Sequence, residues 1–218
     1  MVAELQETVK RLRSIRGAKT EIDRWFQNNI PAVATTENEA PAAHSRHGKK
    51  QQRVLLVGDS LLKGTKVPIC HPDRASYKVC CLLGTKVRDV ADRVPQTVKN
   101  TDYYPLLLFH VGMNDTASQN LGRIKEDYKA LGVQVKKIGA QVSSILPVRG
   151  KGTARNEQIM HINSWLHGWC HCEGFGFYDN GTFFDDYGLL ERDEIHLSRR
   201  GKGIFGSRLA NLMKRALN

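Results

Sequence analysis

From Gln51 to the C-terminus, short unbroken apolar runs alternate with stretches of helical periodicity, and this alternation restricts the fold more than any other feature of the chain. Arg53 to Val57 (RVLLV), Lys78 to Leu82 (KVCCL), Leu106 to Val111 (LLLFHV), Gln141 to Leu146 and Phe175 to Tyr178 read as strands. Val87 to Val98, Gly122 to Ile138, Arg155 to Cys172 and Lys202 to Leu217 read as helices. A strand that is apolar on both faces must be covered on both faces, and strands separated by helices return parallel. The expectation is a three-layer α/β/α sandwich around a parallel five-stranded sheet. In open sheets of this kind ligands bind beyond the carboxyl ends of the strands, where the winding reverses. Chemistry is therefore expected just after Val57, Leu82 and Val111.

The 218 residues suffice for one well-buried domain and an appendage. In residues 1 to 30, Val2, Leu5, Val9 and Leu12 recur at spacings of three and four, with Glu4, Glu7, Lys10, Arg11 and Arg13 on the other faces. This is an amphipathic helix, which makes self-association through a short coiled coil one candidate partnership. Residues 31 to 50, PAVATTENEAPAAHSRHGKK, carry no periodicity and read as a disordered linker, so the domain is expected over residues 51 to 218. The first residues hold no continuous apolar core for a signal peptide, and no segment approaches the roughly 18 apolar residues of a spanning helix. Five cysteines, odd in number and with two closely spaced pairs, do not form a secreted disulfide framework. An intracellular, cytoplasmic and soluble protein is expected. With 33 Lys and Arg against 22 Asp and Glu, the net charge of +11 favours encounter with RNA, DNA or an anionic membrane face.

Three short blocks sit where the sheet rule points, and a fourth precedes the last helix. Gly58-Asp59-Ser60 follows the first strand, and Ser60 leaves the sheet at its mouth, at the start of a helical turn whose N–H groups favour developing negative charge. Gly58 is expected to permit a tight turn there. Gly84, after the second strand, offers a backbone N–H to the same place. Asn114, in Gly112-Met113-Asn114-Asp115 after the third strand, offers a side-chain amide, and preorganised donors of this kind contribute about 3 to 4 kcal/mol to an oxyanion-like transition state. Before the last helix stands Asp193-Glu194-Ile195-His196, in which Asp193 can fix the His196 tautomer while the other ring nitrogen faces Ser60. Each block alone is an ordinary turn or helix cap; Ser198, two residues on, is expected to be the N-cap of the final helix.

The four blocks together, in this order, resemble the SGNH hydrolase superfamily, named for its Ser, Gly, Asn and His, over nearly all of residues 53 to 217. The resemblance implies a flavodoxin-like sandwich and a serine esterase acting on acyl esters or lipid-like substrates. It implies Ser60, Asp193 and His196 as catalytic triad, Ser60, Gly84 and Asn114 as oxyanion hole, and no metal or cofactor. RVLLVGDSLLKGT, YYPLLLFHVGMNDTA, SSILPV and IHLSRRGKGIFGSRLANLMKRAL, with LRSIR and EIDRWFQ near the start, resemble more closely the esterase domain in the first open reading frame of chicken-repeat-type LINE retrotransposons. That likeness implies a mobile-element origin. Two features depart from the pattern. Glu194 stands where the family commonly has Gly, placing a carboxylate beside the Asp193 and His196 pair, where it would favour imidazolium. The fourth strand, AQVSSILPV, is shorter and less apolar than is usual.

Other clusters have plainer readings. His161, His167, Cys170, His171 and Cys172 invite zinc, but the stripe Ile159, Ile162, Leu166 and Trp169 already explains that segment as a core-facing helix. His110, inside an apolar strand, reads as a satisfied core histidine. Arg199, Arg200, Lys202, Arg208, Lys214 and Arg215 make the last helix basic, so the alternative function is an SGNH-fold module, catalytically weak or inactive, that binds nucleic acid or anionic membrane.

Overall fold

The computed structural model describes residues 52–71, 75–99, 104–118, 120–149, 153–181, 184 and 188–217. The amphipathic helix and linker expected before Gln51 lie outside these residues.

Strand β1 (Gln52–Gly58) is followed by a 3₁₀ turn (Ser60–Leu62) and helix α1 (Lys66–Cys70). Then come β2 (Tyr77–Cys81), α2 (Val87–Lys99), β3 (Tyr104–His110), a 3₁₀ turn (Asp115–Ser118) and α3 (Leu121–Val135). The remainder is β4 (Ala140–Ser143), α4 (Thr153–Glu173), β5 (Gly176–Tyr178) and α5 (Arg199–Leu217). The strands form a five-stranded sheet in the order β2-β1-β3-β4-β5, with every pairing parallel.

This order and the handedness of parallel crossovers fix the layers. Right-handed connections put the helix after a step in one direction on one face and the helices after steps in the other direction on the opposite face. Accordingly α1, between β1 and β2, packs with α5, while α2 packs with α3 and α3 with α4. The winding reverses between β1 and β3, so the residues after these two strands share one crevice. β1 and β3 supply the core, with Val54 to Val57 and Leu107 to Phe109 buried, as the unbroken apolar runs require. β2, at the edge, is only partly buried after Tyr77.

Strand β4 ends at Ser143, not at Leu146, although the buried run continues through Leu146. A buried backbone still needs its polar groups satisfied, and here helix α4 does what a neighbouring strand would. Asn163 accepts from the Ile145 N–H (2.9 Å) and donates to the Ile145 carbonyl (2.8 Å). Asn156 accepts from the Val148 N–H (2.9 Å) and donates back to its carbonyl. The short fourth strand is thereby continued as a buried loop held by side-chain amides of α4.

The stripe on α4 faces inward: Ile159, Ile162, Leu166 and Cys170 are buried and Trp169 stacks on Trp165, while His161, His167, His171 and Cys172 are exposed. All five cysteines are free. His110 is buried, with Nδ1 3.1 Å from the Ser143 hydroxyl and its ring against the Phe205 ring; burial pushes its pKa down to about 3, so it is neutral. Among the described residues no helix is long and apolar enough to cross a membrane.

Candidate active site

The site begins with a close approach of two strands. A Cβ on Gly58 would lie 2.1 Å from the His110 carbonyl oxygen, so glycine is required there by the proximity of β1 to β3 and not, as the sequence suggested, by the turn that follows. The Asp59 N–H then donates to that same carbonyl at 3.2 Å. Asp59 is also the cap of the next turn, its Oδ1 accepting the Leu61 N–H at 3.0 Å. Its Oδ2 is buried without a hydrogen-bond partner among the described residues. Burial pushes the Asp59 carboxyl up to about 6, against the Leu61, Met113 and Gly112 N–H groups and the charge of His196. These bonds leave Ser60 half-buried at the head of the 3₁₀ turn, its Oγ without a hydrogen-bond partner among the described residues.

The loops after β2 and β3 are stitched to one another beside it. The Leu82 N–H donates to the Gly58 carbonyl (2.8 Å), which starts the β2 loop against the β1 turn. Gly84 is exposed with φ 69°, a left-handed conformation that glycine adopts without strain. Asn114 Nδ2 donates to the Thr85 carbonyl at 3.0 Å, which fixes the amide and uses one of its two N–H donors, leaving the second. Asp115 is buried and accepts the Val87 N–H on both oxygens (3.4 and 3.2 Å); burial raises its carboxyl to about 6. From α4, Arg155 donates to the Met113 carbonyl (2.8 Å) and to the Thr116 hydroxyl (3.2 Å), and from α3 the Tyr128 hydroxyl donates to the Val111 carbonyl (2.5 Å).

The Asp193 turn is held differently. Leu190 and Leu197 form an antiparallel bridge, the Glu191 N–H donates to the His196 carbonyl (2.7 Å), and the Arg149 N–H reaches the Glu194 carbonyl (2.9 Å). Within the turn, Asp193 Oδ1 accepts the Ile195 and His196 N–H groups (3.0 and 2.9 Å) while Oδ2 lies 2.5 Å from His196 Nδ1. With a carboxylate on Nδ1, the proton belongs there and Nε2 is left as the base. Partial burial works to raise the Asp193 pKa, but the hydrogen bonds from the His196 ring and from the His196 and Ile195 N–H groups win and hold it at about 2. Glu194 has φ 59°, alone among the described non-glycine residues in the left-handed region, which is the conformation a glycine here would take freely. Ser198 caps α5 through the Gly201 N–H (3.1 Å).

The structure thus brings Asp193 and His196 into direct contact, and sets Asn114 against the residue after Gly84. It places Ser60 directly after β1, at the head of the 3₁₀ turn. No hydrogen bond joins Ser60 to His196. Sequence reasoning missed Asp59, Asp115 and Arg155. The first two were visible as the acids of the GDS and ND blocks, but their placement depends on the His110 carbonyl for Asp59 and on the Val87 N–H for Asp115; nothing in the sequence marks Arg155.

No family model and no curated protein sequence matches the chain. Solved structures do, and the fold they share with it is that of the GDSL/SGNH lipolytic hydrolases. A G-D-S-L family protein from Desulfitobacterium hafniense DCB-2 is 17% identical with a TM-score of 0.63, covering 73% of this chain and 98% of its own. The psychrotrophic esterase EstA from Pseudoalteromonas sp. is 13% identical with a TM-score of 0.61, covering 78% and 100%. The esterase domain of the ORF1 protein from the zebrafish ZfL2-1 retrotransposon is 24% identical, covering 74% and 98%, but its TM-score of 0.41 is too low to bear on site or activity.

Proposed function

We propose that this chain is a cofactor-independent serine ester hydrolase acting on acyl esters or lipid-like substrates. The observation that carries the reading is the Asp193 and His196 pair, closed at 2.5 Å, together with Ser60 at the head of the 3₁₀ turn that follows β1. In the proposed reaction His196 Nε2 takes the Ser60 proton as Oγ attacks the acyl carbonyl. The Ser60 and Gly84 N–H groups and the remaining Asn114 N–H receive the oxyanion. The imidazolium returns its proton to the departing alcohol. Water, deprotonated by the same imidazole, then releases the acid and restores Ser60. Catalytic hydrogen bonds are often long in a substrate-free protein and tighten in the complex, which accounts for the open Ser60 to His196 contact.

Two further points support this reading. The structural neighbours include an esterase described in a form inhibited by monoethylphosphonate. The sequence blocks shared with LINE first-frame esterases make a mobile-element origin part of the proposal. The test is hydrolysis of a short-chain p-nitrophenyl ester by the full chain. Ser60→Ala is expected to lower kcat by at least about a thousandfold, and equal rates for the two proteins would overturn the reading.

One observation favours a second reading. Helix α5 carries no acidic residue and exposes Arg199, Arg200 and Lys214, which fits a module that holds RNA or anionic membrane by charge. Salt-dependent binding that survives Ser60→Ala, in a chain without esterase activity, would favour it.

A further inference from the structure

We propose that Asp115 is a positioning residue for the oxyanion hole, holding the Gly84 loop against Asn114; this rests on the esterase reading above. The need arises at Gly84. A Cβ built there meets nothing within 4 Å, and Leu83 before it is exposed, so no side-chain packing at these two residues aims the Gly84 N–H. The loop is aimed from its far side. Asn114 grips the Thr85 carbonyl and Asp115 grips the Val87 N–H, so two consecutive residues of one turn hold the first and third residues after Gly84. A single bond from Asn114 would leave that turn free to pivot about it, whereas two bonds two residues apart fix both distance and direction.

The chemistry of the acceptor fits this role. Val87 is the first residue of α2, whose N–H groups carry the positive end of the helix dipole, and a carboxylate is the strongest side-chain acceptor for them. Asp115 is only 3% exposed, so water does not compete for the bond. The groups facing it are Lys86 from the same loop and Asp127 and Tyr128 from α3, while Arg155 from α4 holds the neighbouring Thr116 and Met113. The Asn114 and Asp115 turn is therefore anchored from behind by Arg155 and reaches forward to the Gly84 loop. Its two oxyanion donors, one on each loop, are set by the same clasp.

The test is p-nitrophenyl ester kinetics on the full chain, read in both Asn114 backgrounds. Asp115→Ala is expected to lower kcat by about tenfold to a hundredfold with KM changed by less than about threefold, the pattern of a contact made in the transition state. Asp115→Asn, whose amide oxygen can still accept the Val87 N–H, is expected to recover most of that loss. In an Asn114→Ala background, where the clasp has already lost one of its two bonds and the Gly84 loop is free to pivot, adding Asp115→Ala is expected to cost less than about threefold, because residues acting through one unit are not additive. Should Asp115→Ala fail to fold, Val87→Pro cuts the same bond from the donor side at a helical position that tolerates proline, with the same kcat loss expected. Equal costs in the two Asn114 backgrounds, or unchanged kcat in a folded variant that lacks the bond, would overturn the proposal and leave the esterase reading intact. A wild-type chain without turnover would instead overturn both, and is seen before any variant is made.

Discussion

The two halves of the candidate site are held by opposite means. The Ser60, Gly84 and Asn114 half sits on buried carboxylates: Asp59 and Asp115 are 1% and 3% exposed, Asp59 capping its own turn and Asp115 tied to the Val87 N–H of another loop, and burial raises both toward 6. The Asp193 and His196 half stands on a turn where both side chains are 45% exposed, and the bonds of the Asp193 carboxylate all go to residues within three positions; there the hydrogen bonds outweigh burial and the carboxyl falls to about 2. Loops brought together across the sheet need a buried framework to fix them. An imidazole and a carboxylate three residues apart carry their geometry within one turn. Damage to the first half is therefore expected to cost fold and activity together, and damage to the second to cost activity with little loss of fold.

The largest effect tests the buried half. Gly58→Ala forces a methyl to 2.1 Å from the His110 carbonyl, and the strands must part to admit it. A loss of more than about 4 kcal/mol, or failure to fold, is expected from such a backbone clash and is read from urea unfolding. Next, Asp193→Asn keeps an oxygen for the Ile195 and His196 N–H groups but offers the ring the wrong tautomer. It is expected to reduce kcat by about a hundredfold to ten-thousandfold while Tm moves by less than about 3 °C; a large drop in Tm would show that the exposed turn is structural after all.

A smaller effect distinguishes the halves by sign. The folded pKa of Asp59 lies above the 3.8 of the free side chain, so folding takes up a proton between the two values. The stability of wild type relative to Asp59→Asn should therefore rise as pH falls from about 6 towards 3.8, and be flat above 6. Asp193 has the reverse sign. Its contribution relative to Asp193→Asn is fully present above 3.8 and is lost as pH falls through about 2. Melting temperatures of the three proteins between these limits check both slopes, and slopes of the same sign would erase the contrast. The smallest effect is Glu194→Gly, which relieves a left-handed residue at about 1 to 2 kcal/mol but returns part of this as unfolded-chain entropy, for a net gain of about 0.5 to 1 kcal/mol in thermal unfolding.

Legibility in the sequence follows the same division. The apolar runs announced β1 and β3 because both faces of those strands are buried, and the DxxH block announced its own pairing because Asp193 and His196 meet within one turn. Helix α1 was invisible, being five residues with Pro68 in the middle. The end of β4 was misplaced because Asn156 and Asn163, far along the chain, make a buried loop look like more strand. The reason for Gly58 and the work of Asp59, Asp115 and Arg155 could not be read either, since each depends on a carbonyl or N–H group contributed by a different strand or helix.

The central claim is that Ser60 is an activated nucleophile although its hydroxyl has no hydrogen-bond partner among the described residues. Fluorophosphonate labelling of the full chain, with the modified peptide located by mass spectrometry, tests it most directly. The account expects a single adduct on Ser60, absent from Ser60→Ala and strongly slowed in His196→Ala. An unlabelled folded chain, or an adduct on another residue that persists in Ser60→Ala, would contradict it.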